Sequence, residues 1–125
     1  MKRAKIQFEN QTYAVTVNDD LSVNLPDGRV LQENDVSWLP PSTGNMFALG
    51  LNSADHAAEL AFASAPTEPL VFIKSAGSYV GHNGQSYRPD NIHYMHYECE
   101  LAVVISKTAK NVSKEDAWDY VEGFT

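Results

Sequence analysis

Apolar side chains recur at every second position through the first part of the chain: Ile6 and Phe8, then Tyr13, Val15 and Val17, then Leu21, Val23 and Leu25. A period of two places alternate side chains on one face, so each run predicts a strand with one buried side. Asn18-Asp19-Asp20 and Pro26-Asp27-Gly28 supply turn residues between the runs. The pattern predicts a small antiparallel β module over residues 1–43, which ends in the irregular stretch Trp38-Leu39-Pro40-Pro41-Ser42-Thr43-Gly44. Such a meander is marginal alone and needs something larger to pack on.

Past Gly44 the pattern changes. Residues 45–51 form a short apolar run of strand type, and residues 52–60 turn Ala-rich and polar, as in a short helix with Asn52 or Ser53 at its N-cap. A loop over residues 65–69 leads to the apolar strand Leu70-Val71-Phe72-Ile73-Lys74, which ends in one charge. A loop rich in Gly, Ser, Asn and Pro spans residues 75–91. Then His96-Tyr97-Glu98-Cys99-Glu100-Leu101-Ala102-Val103-Val104-Ile105 predicts a strand, whose β-branched second half reads as buried on both faces. Ser113 with Asp116 predicts the start of a capped helix over residues 114–121.

Composition narrows the classes. With 43% hydrophobic and 20% charged residues the chain is of globular type, which excludes a disordered segment. Nine basic against 16 acidic residues give a net charge of −7, which argues against nucleic acid or an anionic membrane as partner while leaving room for a local basic pocket. The single cysteine, Cys99, can form neither an internal disulfide nor a thiolate zinc site, as suits a reducing cytoplasm. No apolar run is long enough for a signal peptide or a membrane span, so a cytoplasmic location is expected.

Glu98 and Glu100 carry the strongest chemical signal. On a strand, residues two apart share a face at roughly 7 Å between Cα atoms, so both carboxylates can converge on one ion. Burying two like charges beside a core strand is costly without a cation, and oxygen-only ligands favour a hard one over zinc. The same spacing also marks an edge strand with two solvated glutamates, which by spacing alone is the commoner case. His56 and Glu59 are three apart in the expected helix and so share its face. A carboxylate bound to one ring nitrogen orients the imidazole and raises its basicity, making a general base, although chance pairs on exposed helices are frequent. Lys74 could hold a substrate carboxylate or enolate, or snorkel at the surface. His82, His93 and His96 read as structural or solvated, Cys99 as core packing, and Arg88 as a residue that could meet an anion. No phosphate-cradling glycine loop, nucleophile elbow or Cys/His zinc pattern is present.

Taken in order, these pieces resemble the fumarylacetoacetate hydrolase family. Gly50-Leu51-Asn52-Ser53-Ala54-Asp55-His56-Ala57-Ala58-Glu59 is similar to its Gly-x-Asn-Tyr-x-x-His-x-x-Glu segment. Pro69-Leu70-Val71-Phe72-Ile73-Lys74 is similar to its Pro-x-x-Phe-x-Lys strand, and Tyr97-Glu98-Cys99-Glu100-Leu101-Ala102-Val103-Val104-Ile105 to its metal strand. Residues 111–125 resemble the helix and strand that follow, and residues 88–97 resemble the branch that isomerises and decarboxylates in 4-hydroxyphenylacetate degradation. The resemblance implies a mostly β (α+β) fold, a mixed β roll incomplete here, with residues 44–125 as the N-terminal part of the catalytic domain. It implies that Glu98 and Glu100 bind Mg²⁺ or Mn²⁺, with a third ligand, an aspartate, and a catalytic lysine beyond Thr125. His56 and Glu59 would form a dyad on a lid, Lys74 would line the substrate pocket, and the intact protein would be a homodimer.

The implied activity is isomerisation and decarboxylation of a 2-oxo or 2-hydroxy-diene dicarboxylate in aromatic catabolism. The alternatives are hydrolysis of a C–C bond in an acylpyruvate, or a catalytically incompetent fragment lacking the third metal ligand. Ser53 stands where the family usually has tyrosine, which bears on lid packing and not on the dyad.

Overall fold

The computed structural model describes residues 1–52, 66–95 and 100–125. The chain divides into two compact units, Met1–Ser86 and Tyr87–Thr125. It is a mostly β structure of antiparallel pairs, and the helical segments among the described residues are single 3₁₀ turns.

The first unit opens with strands β1 (Lys2–Phe8) and β2 (Gln11–Val17), paired antiparallel from Lys2–Val17 to Phe8–Gln11. Glu9 and Asn10 join them in a two-residue turn with φ of 48° and 61°. Two left-handed residues in succession make a turn whose twist matches that of the flanking strands. Strands β3 (Val23–Asn24), β4 (Val30–Leu31) and β5 (Ser37–Leu39) complete a five-stranded sheet in the order β4-β3-β2-β1-β5. Ile6 sits between Tyr13 on β2 and Trp38 on β5. It is fully buried with Val23, beside Val15 and Leu25 at 4% exposure. Ala4, Phe8, Tyr13, Val17, Leu31, Val36 and Trp38 pack round this cluster. Burying each such aliphatic side chain contributes about 1.5–3 kcal/mol.

Leu21 departs from the expected alternation. It occupies the left-handed region at φ 66° in the β2–β3 turn, and Ser22 is buried in its place. The cause is local hydrogen bonding. The Ser22 hydroxyl and amide both donate to the Asp20 carboxylate, at 2.6 and 3.0 Å, while the Leu21 amide reaches the Asn18 carbonyl. These bonds hold the Asp20 carboxyl below its ordinary pKa, the hydroxyl having the larger effect.

Strands β6 (Met46–Gly50) and β7 (Leu70–Lys74) form a second antiparallel pair within the same unit. A 3₁₀ turn over Ala76–Ser78 follows in the expected long loop. In the second unit, β8 (Val103–Ile105) pairs antiparallel with β9 (Val121–Phe124). The expected burial of this apolar strand on both faces is not met: Leu101, Val103 and Ile105 are exposed, and only the alternate residues Ala102 and Val104 are half-buried. The reason is that, among the described residues, β8 has β9 as its one partner in a two-stranded sheet.

The expected helix over residues 114–121 is a 3₁₀ turn, Ala117–Tyr120. The expected Ser113–Asp116 pair does form, the Ser113 hydroxyl donating to Asp116 and accepting from the Asp116 amide, but it lies ahead of the turn, whose N-cap is Asp116 with no side-chain cap. A longer helix is blocked because Val121 is already extended and the Tyr120 carbonyl is taken by the Ser106 amide across the β8–β9 pair. Among the described residues no helix is long and apolar enough to cross a membrane.

Candidate active site

Lys74 stands at the end of β7, opposite Met46 on β6. It is half-buried, and its ammonium lies 5.3 Å from the centre of the Phe72 ring, two residues back on the same face of the strand. A cation over an aromatic face is attracted to the ring, which helps to fix where the side chain lies. Tyr79 fixes the backbone at this point. Its hydroxyl lies 3.0 Å from the Lys74 carbonyl and 3.1 Å from that of Gly44, clasping the end of β7 to the entry of β6.

Glu100 belongs to the second unit and is exposed, ahead of the β8–β9 pair. Two backbone bonds between Ala102 and Thr125, at 2.8 and 3.0 Å, continue that pairing to within two residues of it. Its carboxylate is of the right chemistry for a hard cation with oxygen ligands, and its exposure leaves it reachable. Glu98, the other expected ligand, and the expected dyad of His56 and Glu59 lie outside the described residues. Among the described residues no three His, Cys, Asp or Glu side chains gather as a metal site.

The other imidazoles divide. His93 lies at the surface, its carbonyl accepting from Arg88 at 3.3 Å. His82 is bound into the first sheet's flank, its Nε2 lying 3.1 Å from Glu33 Oε1 and its ring edge-on to Trp38 at 5.2 Å. Neither this contact nor the Tyr79 clasp was read from the sequence. The glycines on either side, Gly81 and Gly84, were the available signal. A Cβ at Gly81 would collide with the Trp38 carbonyl, and one at Gly84 would come within 2.8 Å of the Gly81 carbonyl.

Residues 45–125 match the family model described as Fumarylacetoacetate (FAA) hydrolase C-terminal. The chain is 56% identical over 89 residues to a 4-hydroxyphenylacetate degradation bifunctional isomerase/decarboxylase of Salmonella dublin, covering 71% of this chain and 20% of that protein. It is 60% identical over 87 residues to a homoprotocatechuate catabolism bifunctional isomerase/decarboxylase of Escherichia coli, covering 70% of this chain and 20% of that protein. Among solved structures, a 5-carboxymethyl-2-hydroxymuconate delta-isomerase from Mycobacterium smegmatis superposes with a TM-score of 0.80 at 27% identity. That superposition takes in 99% of this chain and 52% of the other. The chain therefore spans about a fifth of the length of the two curated relatives and about half of the solved one.

Proposed function

Because the chain belongs to the fumarylacetoacetate hydrolase family, we propose that the protein it forms part of isomerises and decarboxylates a 2-oxo or 2-hydroxy-diene dicarboxylate in 4-hydroxyphenylacetate catabolism. The observation that carries this reading is the 56–60% identity to two bifunctional isomerase/decarboxylases over some 70% of the chain. The likeness in fold to a hydroxymuconate isomerase supports it.

In this reading Glu98 and Glu100 hold Mg²⁺ or Mn²⁺, which when bound supplies Lewis acidity toward the 2-oxo and 1-carboxylate oxygens. His56 is the proton carrier. It takes a proton from one carbon of the diene and returns it to another during isomerisation, and it protonates the carbon from which carbon dioxide has left. Glu59 keeps the ring in the orientation and tautomer that this requires. Lys74, cationic at the end of β7, binds the far carboxylate of the substrate. The active form is a cytoplasmic homodimer acting on a small-molecule dicarboxylate.

His56→Ala tests the assignment. Turnover is expected to fall at least 100-fold, the usual scale for loss of a general acid–base group, while metal affinity stays unchanged. Full activity in the variant would refute it. The name of the family favours a second reading, hydrolysis of a C–C bond in an acylpyruvate, in which His56 activates water. Assaying one preparation with a diene dicarboxylate and with an acylpyruvate separates the two.

A further inference from the structure

The loop that leaves β7 is tied to the first sheet at a cluster to which none of the chemistry above gives a role. Glu33 lies in a 3₁₀ turn, Glu33–Asp35, just before β5, and its side chain is 27% exposed. A single oxygen of its carboxylate, Oε1, receives both His82 Nε2 at 3.1 Å and Asn83 Nδ2 at 2.8 Å. A carboxylate oxygen accepts, so the His82 contact is a hydrogen bond in the tautomer that carries its proton on Nε2. Trp38 backs the contact from two sides: its indole nitrogen donates to the Glu33 carbonyl at 3.2 Å, and its ring meets the edge of His82. Gly81 lies flat against the Trp38 carbonyl, where no larger residue fits. From there the chain runs back to Tyr79, whose hydroxyl holds the Lys74 carbonyl.

We propose that Glu33, backed by Trp38, is a positioning residue: it fixes residues 79–84 and, through Tyr79, the end of β7 where Lys74 presents its charge. The first sheet then shapes the substrate site and is more than a structural annex. The kinetic part of this inference rests on the function proposed above; the structural part does not.

The test uses the full-length protein with Glu33→Ala, Glu33→Gln and Gly81→Ala. Amide hydrogen exchange is followed by mass spectrometry on peptides covering residues 79–84, beside kcat and KM for the diene dicarboxylate. Losing two hydrogen bonds to a partly exposed carboxylate is expected to raise exchange in that loop about tenfold in Glu33→Ala. KM is expected to rise several-fold while kcat changes less, since Lys74 acts in binding. Glu33→Gln keeps an acceptor oxygen and is expected to recover most of both losses; Gly81→Ala is expected to resemble Glu33→Ala. Loop exchange as in the wild type in Glu33→Ala would overturn the proposal, as would raised exchange with kcat and KM unmoved. If the wild type does not turn over the dicarboxylate at all, the function proposed above falls, and loop exchange alone decides whether Glu33 holds the loop.

Discussion

The alternation that marks the first sheet held at Ile6, Val15, Val23 and Leu25, the four residues that make its core. It failed at Leu21, where an apolar residue in phase with its neighbours was displaced by the bonds from Ser22 to Asp20. Periodicity counts side chains, and it has no means of weighing a short polar side chain that recaptures its own backbone. The Asp20–Ser22 pair has a pH consequence. Asp20 is more acidic folded than unfolded, so the stability that it lends is present above the ordinary carboxylate range and is lost as pH falls below it. Ser22→Ala removes the larger cause. The variant is expected to be less stable than the wild type above the ordinary carboxylate range, with the gap closing as pH falls below that range. Urea melts at a series of pH values check this, and a pH-independent gap would mean that the hydroxyl acts only through packing.

At the scale of elements, most of the strands were legible, and the turns and helices less so. Apolar runs located β1, β2, β6 and β7 because each has enough residues to show a pattern. The alternation of Leu21, Val23 and Leu25 pointed to β3, which is only two residues long, whereas β4, also of two residues, is too short to show a period and was not read. The Glu9–Asn10 turn went unread because glutamate seldom takes a positive φ. The segment before β9 carries a helix's cap in its sequence, yet pairing across the sheet cuts it to one 3₁₀ turn. Ile6 joins three strands, so Ile6→Ala is expected to cost about 2–5 kcal/mol. A loss below 1 kcal/mol in denaturant unfolding would show that the β1–β2–β5 packing is not what stabilises the module.

For the molecule as a whole, the resemblance in motifs led to the family that the match over residues 45–125 establishes. The candidate site was legible only in part. Lys74 was placed at the end of its strand, but the Glu33–His82 contact joins residues 49 positions apart, and no local pattern reports such a meeting. We propose residues 1–43 as a module distinct from the catalytic part, since the family match begins at residue 45. Phe47, Ile73, Val71 and Leu70 on the β6–β7 pair, and Val103, Ile105 and Phe124 on the β8–β9 pair, are all more than 45% exposed. The 125-residue chain alone is therefore expected to self-associate as its concentration rises, which sedimentation velocity would show. It is also expected to bind magnesium weakly or not at all, because two carboxylates leave most of the ion's six positions to water. Tight stoichiometric binding by calorimetry would contradict that.

The two-residue connection between β1 and β2 has a bearing on how the module folds. Closing so short a loop costs little entropy, and the hairpin then gains seven paired positions from contacts close in sequence. β5 pairs with the far side of β1, across all of β2, β3 and β4. The hairpin is thus the natural nucleus and β5 the late arrival. Destabilising changes within β1 and β2 would slow refolding, whereas those at Trp38 would chiefly hasten unfolding.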